Sequence, residues 1–305
     1  MAVKNLPREE LVRPGSGGCP GCPSSLALRV TLKALGRNTV FVIPACCAVV
    51  CLGAYPKTAV DVPVVSIAFE AAAAAAAGLA AGLKRLGKQD TNVVVWAGDG
   101  GTYDIGLQAL SGAVERGTDF IYICYNNEMY SNTGIQRSGA TPYGAWTTTT
   151  WTGKTESKKD LPAIMRAHGL PYMATASPSY PEDLFQKVKK AMSIRGSKYI
   201  EILAPCPPGW RFPMEKMLEM GRLAVETGAF ALYEYENGQL SFNLKSKSIL
   251  EKKVDAKPVE DYLKLQGRFA HLFKPKRNEA VLEAIQKRVH ADWERFRKQV
   301  ECGVA

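Results

Sequence analysis

Two apolar runs set the architecture of this chain. Residues 92–97 (NVVVWA) and 120–125 (FIYICY) are continuously apolar, the mark of strands buried on both faces. A strand covered on both faces needs helices on both sides of its sheet. That makes the sheet parallel and its connections right-handed crossovers. The flanking sequence supplies the remaining elements. Residues 24–35 read as a helix with Ser24 or Ser25 as N-cap and Gly36 as terminator. Residues 39–43 read as a strand and 62–68 as a short β-rich run. An Ala/Gly-rich helix is expected over about 69–86, its small side chains suiting a tightly packed internal position. A helix over about 104–116 separates the two apolar strands. A short helix at 162–168, a strand at 172–176, a helix opening on Pro181-Glu182-Asp183 and reaching 195, and a last core strand at 199–204 complete the alternation.

Two stretches depart from that rhythm. Residues 130–160 are rich in Thr, Gly and Ser, with four consecutive threonines from Thr147 to Thr150, and a loop this long is either functional or disordered. After Cys206, residues 230–242 (FALYEYENGQLSF) alternate around Asn237-Gly238, a hairpin signal. The tail that follows places Val281, Leu282, Ile285, Val289, Trp293 and Phe296 at helical spacing. The expected fold is therefore α/β, a doubly wound, mostly parallel sheet over residues 1–228. Residues 229–305 form a C-terminal hairpin and an amphipathic helical appendage.

With 46% apolar and 22% charged residues, the chain has the composition of an ordinary globular protein. Its net charge of +10 raises the question of nucleic acid. From residue 245 onward there are 15 Lys/Arg against 9 Asp/Glu, so most of the excess lies in the tail. These charges are mixed in sign and interleaved with helical apolar positions, the pattern of a solvated face and not of a nucleic-acid surface. No signal-like apolar core opens the sequence and no run is long enough to span a bilayer, so a cytoplasmic protein without membrane attachment is expected.

The first apolar strand delivers Gly98-Asp99-Gly100-Gly101 at its carboxyl end, where ligands of doubly wound sheets bind. Glycines let a backbone approach a phosphate, and a helix N-terminus offers free N–H groups. An aspartate there would repel a diphosphate directly, so Asp99 is best explained as ligand to a bridging magnesium ion, which takes hard oxygen donors. The second donor belongs on the neighbouring strand end, where Asn127 stands 28 positions later. Gly-Asp-Gly alone is a common turn. In this strand context, with the Asn at that spacing, it is the thiamine-diphosphate signature.

The run GDGGTYDIGLQALSGAVERGTDFIYICYNNEMYSNTGIQRSGATPYGAWTTTT resembles the beta subunit of pyruvate:ferredoxin oxidoreductase and its relatives, the 2-oxoacid:ferredoxin oxidoreductase family. The similarity extends from about Cys19 to Cys206 and fades in the tail. It implies a thiamine-diphosphate-binding fold in which Asp99, the Asn127 side chain and the Met129 carbonyl hold magnesium. Gly98, Gly100, Gly101 and Thr133 would lie against the cofactor, and Asn132 would face the thiazolium and the substrate.

Eight cysteines in a chain read as cytoplasmic point to metal or redox chemistry. Cys19-Pro-Gly-Cys22 before a helix can be a zinc half-site, a redox pair or half of a cluster site. Cys46, Cys47, Cys51 and Cys206 are the candidates for further ligands. Members of the resembling family hold a 4Fe-4S cluster through a CxxC pair, a cysteine preceding a segment like Tyr55-Pro56-Lys57-Thr58-Ala59, and a cysteine in a Pro-Cys turn. The resemblance thus implies Cys19, Cys22, Cys47 and Cys206. Cys46, which replaces a small residue, and Cys51 stay open as competitors or pocket-lining thiols. Cys124, inside a strand, reads as a buried inert thiol, and Cys302 falls in the tail. Zinc on four cysteines is the alternative.

The activity so implied is oxidative decarboxylation of a small 2-oxoacid, with electrons leaving one at a time through the cluster to ferredoxin. In this family the glutamate that activates the cofactor comes from an alpha/gamma-type partner subunit, and Glu70 and Glu128 read as capping or structural residues. A hetero-oligomer is implied, with a ferredoxin-like cluster subunit, and a basic surface would steer an acidic ferredoxin. Pyruvate-using members carry glutamates where this chain has Ser24 and Val49, and a basic residue where it has Asp61. Fewer carboxylates near the cofactor would favour a more anionic substrate, with oxalate a candidate. The alternative activity is a non-redox thiamine-diphosphate decarboxylase or synthase with a structural zinc site.

Overall fold

In the computed structural model, which describes residues 6–53 and 56–303, the expected alternation is present. Tyr55 and residues 1–5 lie outside the described residues. The first half comprises α1 (Pro23–Leu35), β1 (Thr39–Pro44), α2 (Cys47–Leu52), β2 (Val64–Ile67), α3 (Ala72–Arg85), β3 (Asn92–Gly98), α4 (Leu107–Glu115) and β4 (Phe120–Asn126). There follow α5 (Leu161–Ala167), β5 (Tyr172–Ala176), α6 (Pro181–Ser193), β6 (Ser197–Leu203), α7 (Pro207–Trp210) and α8 (Met217–Glu226). The chain closes with β7 (Tyr233–Glu236), β8 (Gln239–Phe242), α9 (Leu244–Leu250), α10 (Val259–Leu263) and α11 (Glu279–Cys302).

The strands form one sheet in the order β2-β1-β3-β4-β6-β5-β7-β8. The first six are parallel, and β7 and β8 are antiparallel. Both apolar strands are central, and every residue of β4 is buried. Trp96 stacks on Tyr125 at 5.6 Å on the face covered by α1 and α6. Tyr122 stacks on Tyr199 at 6.1 Å on the opposite face, under α3, α4 and the C-terminal helices. Registers Gly98↔Tyr125 and Asn126↔Leu203 bring the carboxyl ends of β3, β4 and β6 level with one another.

Several local details differ from the sequence reading. Helix α1 starts at Pro23 with Cys22 as N-cap, so Ser24 and Ser25 lie within its first turn and cap nothing by side chain; proline at the first helical position presets the helical φ. Between β3 and α4 the chain makes a π-helical turn, Gly100–Asp104, so the regular helix begins three residues later than expected. A Cβ on Gly106 would stand 2.0 Å from the Gly101 carbonyl oxygen, an approach open only to glycine. Helix α3 is not internal: only Ala72, Ala73 and Ala76 are buried, because methyl-sized side chains let one side sit close on the sheet while the other faces outward.

The hairpin is present, with positive φ at Asn237 (47°) and Gly238 (90°), as a two-residue type I′ turn requires. It continues the main sheet: β7 pairs with β5 in the register Met173↔Tyr235. Helix α11 docks Leu282, Val289, Trp293 and Phe296 on the same core. The Trp293 indole N–H donates to the Gly228 carbonyl (2.9 Å), and its ring meets Phe242 and Phe296, each at 5.9 Å. Among the described residues no helix is long and apolar enough to cross a membrane. Truncating a fully buried tryptophan removes its transfer energy and leaves a cavity, so Trp293→Ala should lower stability by about 3–5 kcal/mol. Urea unfolding measures this, and a loss below about 1 kcal/mol would show that α11 does not brace the sheet.

Candidate active site

Four adjacent strands end at one edge, and each delivers a chemically active residue. Cys46 and Cys47 follow β1, Asp99 follows β3, Asn127 follows β4 and Cys206 follows β6. Asp99 is 1% exposed. Its Oδ1 accepts from the Asn127 backbone N–H (3.3 Å) and its Oδ2 from the Ser138 hydroxyl (2.5 Å). Both donors are uncharged, and burial pushes the carboxyl up to about 8.

The Asn127 amide meets the same point. One of its terminal atoms lies 2.8 Å from the Met129 carbonyl oxygen and 3.0 Å from Asp99 Oδ1. With NH2 turned inward it donates to both. With its carbonyl inward, three oxygens converge, an arrangement that repels unless a hard cation lies among them. Among the described residues no group of three or more His, Cys, Asp or Glu is placed to hold a metal by itself. Here two of the three donors are an amide and a backbone carbonyl.

The segment carrying these oxygens is pinned from all sides. Glu128 holds a left-handed φ of 64°, which costs a non-glycine residue about 1–2 kcal/mol. Its N–H donates to Asn126 Oδ1 (2.9 Å), and its carbonyl accepts from Thr141 Oγ1 (2.6 Å). Its carboxylate is ion-paired with Arg268 at 2.6 Å. The Trp210 indole donates to the Asn127 carbonyl (2.8 Å). Beneath lies a buried polar layer in which Glu201 accepts from Tyr103 (2.6 Å), Tyr199 (2.9 Å) and Asn126 (3.1 Å). A Cβ on Gly100 would enter the Tyr130 ring at 2.3 Å, so glycine is required there for packing as well as for phosphate approach. Glu128 is thus a structural brace, and Glu70 is exposed.

Residues 130–160 are ordered by their own hydroxyls. Thr148 Oγ1 donates to the Gly134 carbonyl (2.8 Å), Arg137 N–H donates to Thr149 Oγ1 (3.0 Å), and the Thr147 and Thr150 hydroxyls share a bond of 2.8 Å. This loop carries Ser138 back to Asp99. Asn132 and Thr133 sit on its exposed turn, with Thr133 bonded to Gln136 (2.5 Å).

The thiols of Cys19, Cys22, Cys46, Cys47, Cys51 and Cys206 lie close enough to influence one another, but among the described residues no three of them close on a single metal point. Cys22 bonds Cys51, which lowers the Cys22 thiol to about 5. Burial, and then the charges of Cys206, Cys46 and Cys22, push Cys47 up to about 12. Burial likewise pushes Cys206 up to about 11, with Cys22 and Cys19 among its neighbours. Cys46 contacts the Tyr125 hydroxyl. Cys124 is fully buried within β4, and Cys302 is exposed at the end of α11. A Cβ on Gly209 would lie 2.5 Å from Met129 Sδ and 3.2 Å from Cys206 Sγ, so Met129 stands between the oxygen and sulfur groups.

Asp61 does not belong to this site. Its carboxylate binds Arg13 and Arg37, the latter at 3.1 Å just before β1, and so lies toward the amino ends of the strands. Ser138, Trp210 and Arg268 escaped sequence reading because each reaches the site only through the tertiary fold.

The raised Asp99 carboxyl has a signed consequence. The folded chain holds this proton up to about pH 8, whereas the unfolded chain loses it in the ordinary carboxylate range. Stability of the cofactor-free protein therefore falls as pH rises through that interval, by at most about 1.4 kcal/mol per pH unit. Relative to this protein, Asp99→Asn should gain stability as pH rises toward 8 and no further. Parallel thermal melts test it, and a gap independent of pH would refute the burial argument.

The chain is similar to several known proteins. Residues 47–202 match the thiamine pyrophosphate enzyme family, C-terminal TPP binding domain. The ketoisovalerate oxidoreductase subunit VorB of Pyrococcus horikoshii is 49% identical, over 97% of this chain and 95% of the relative. The pyruvate synthase subunit PorB of Methanothermobacter thermautotrophicus is 52% identical, over 88% of this chain and 92% of the relative. Among solved structures, the 2-oxoglutarate:ferredoxin oxidoreductase from Magnetococcus marinus superposes with a TM-score of 0.60 at 18% identity, over 86% of this chain and 97% of that one, and shares the fold. The chain belongs to the 2-oxoacid:ferredoxin oxidoreductase family, as its thiamine pyrophosphate-binding beta subunit.

Proposed function

We propose that this subunit grips magnesium and thiamine diphosphate beside a 4Fe-4S cluster and serves the oxidative decarboxylation of a small 2-oxoacid, with ferredoxin as electron acceptor. The observation that carries this reading is the convergence of Asp99, Asn127 and the Met129 carbonyl on one point, with the Cys206 thiol close to the Met129 side chain. Asp99, Asn127 and Met129 would hold the magnesium ion. Gly98, Gly100, Gly101 and Thr133 would line the diphosphate and the cofactor rings, and Asn132 would meet the reacting end. Bound thiamine diphosphate supplies the nucleophilic carbon and the electron sink for loss of CO2. The chain's own contribution is to neutralise the diphosphate, hold the backbone of 126–129 rigid and keep water from the buried carboxylate.

Cys19, Cys22, Cys47 and Cys206 are the proposed cluster ligands. Four thiolates suit such a cluster, and the burial and mutual repulsion that push the Cys47 and Cys206 thiols up are what bound iron would offset. In this arrangement residues 1–228 carry the grip and the outlet, and residues 229–305 brace them through Arg268. Of the carboxylates described at this edge, Asp99 faces Asn127 and Ser138, and Glu128 is committed to Arg268. This supports an activating glutamate from an alpha/gamma-type partner, consistent with the exposed Asn132 turn. A ferredoxin-like cluster subunit completes the hetero-oligomer.

The relatives are named for pyruvate and ketoisovalerate, and a 2-oxo monocarboxylate is the favoured substrate. Oxalate loses the support of Asp61, which lies away from the site, and rests on Ser24 and Val49 alone. Anaerobic assays of the complex with pyruvate or 3-methyl-2-oxobutanoate plus coenzyme A, and with oxalate, distinguish them. Turnover of oxalate alone would overturn the favoured substrate.

Cys47→Ala and Cys206→Ala should abolish the broad, reductant-bleached visible absorption of the anaerobically purified protein, while Cys46→Ala and Cys51→Ala retain it. Iron and sulfide analysis accompanies the spectra. Zinc in place of iron in the anaerobic protein would instead establish the non-redox alternative.

A further inference from the structure

A second cavity, of about 440 Å³, lies behind the site between the sheet, the loop following Thr141 and the C-terminal helices. Neither Asp99, Asn127 nor any cysteine lines it, and Glu128 is its link to the oxygen group. One side is hydrocarbon: Phe230, Tyr262, Leu263, Val289 and Phe296 are all buried and lend it their side chains. The other side carries a guanidinium with one donor atom unused.

Arg268 is 1% exposed and lines this cavity. Its Nε donates to Gln266 (2.8 Å), its Nη2 to Glu128 (2.6 Å), and its guanidinium lies 3.8 Å over the Trp210 ring. Its Nη1 is buried and has no partner among the described residues. A buried charged donor without an acceptor is costly, so it marks the place of an acceptor the chain does not supply. At the rim, Arg288 rests on the Tyr143 ring (4.0 Å) and bonds only the Ser157 hydroxyl (2.8 Å). The rim carboxylates Asp160 and Asp292 are both engaged by Arg295 at 3.0 Å. Glu201 at the floor is held by its tyrosines, and burial pushes its carboxyl toward the neutral form. The balance therefore favours an anion.

We propose that this cavity binds a small monocarboxylate with an aryl or branched-alkyl body, its carboxylate on Arg268 Nη1 and its body against the Phe230, Tyr262 and Val289 wall. Mostly apolar walls with one or two convergent polar groups are the usual form of small-molecule sites. The same guanidinium holds Glu128, whose backbone joins Asn127 to Met129. Binding of the acid is thereby linked to the cation site, and such linkage is reciprocal.

The test is calorimetric titration of the purified protein, with the subunits that accompany it, using phenylacetate and its neutral counterpart 2-phenylethanol. Saturable binding of phenylacetate is expected at one site per chain, at least tenfold tighter than the alcohol and undiminished by saturating 2-oxoacid substrate. Val289→Trp, which fills the cavity, should weaken it at least tenfold. Arg288→Gln, an exposed change that loses only the surface contacts with Tyr143 and Ser157, should weaken it several-fold and serves if the tryptophan variant does not fold. Equal affinity for acid and alcohol, displacement by substrate, unchanged binding in the variants, or no saturable binding would each overturn the assignment.

Discussion

Level parallel pairing of four neighbouring strands is the constraint on which the rest of this structure depends. Because β1, β3, β4 and β6 are adjacent and run the same way, their carboxyl ends open on one edge. Residues separated by more than a hundred positions in the chain, such as Cys47 and Cys206, become neighbours there. A slip of one residue between β3 and β4 would turn every side chain of one strand to the other face. The stack of Trp96 on Tyr125 opposes such a slip on one face, and that of Tyr122 on Tyr199 opposes the corresponding slip between β4 and β6 on the other.

That edge is electrostatically incomplete in the chain alone. Asp99 is buried among uncharged donors, which pushes its carboxyl up, and the neighbouring thiols raise one another's affinity for protons. Each feature is unfavourable by itself, and each is relieved by positive charge. The surrounding bonds prevent the segment from relaxing away: Trp210, Thr141, Asn126 and Arg268 all hold residues 127 and 128. The left-handed backbone at Glu128 is stored by this scaffold.

The C-terminal quarter of the chain has a part in this. It supplies Arg268, the one fully buried cation bonded to Glu128, and the aromatic wall that covers the polar layer below the site. Helix α11 lies across β8, with Phe242, Trp293 and Phe296 in mutual contact, so the covering elements and the sheet share one core.

Strand identity, the Gly98 to Gly101 turn, the Asn127 spacing, the Asn237-Gly238 hairpin and the α11 stripe were legible in the sequence because each depends on local periodicity or turn chemistry. Local rules failed at the ends of elements and on outward faces. The π turn after Gly100 accompanies the close approach of Gly106 to Gly101, and the outward face of α3 is hard to tell from an inward one when most of its side chains are a methyl or a hydrogen. By itself the sequence determined which residues end strands and which of them bear oxygen or sulfur. Only the tertiary structure decided which ends adjoin, that Ser138 and Arg268 reach them, and that Asp61 does not, since strand order and long-range ion pairs are set by packing between distant segments and leave no local trace.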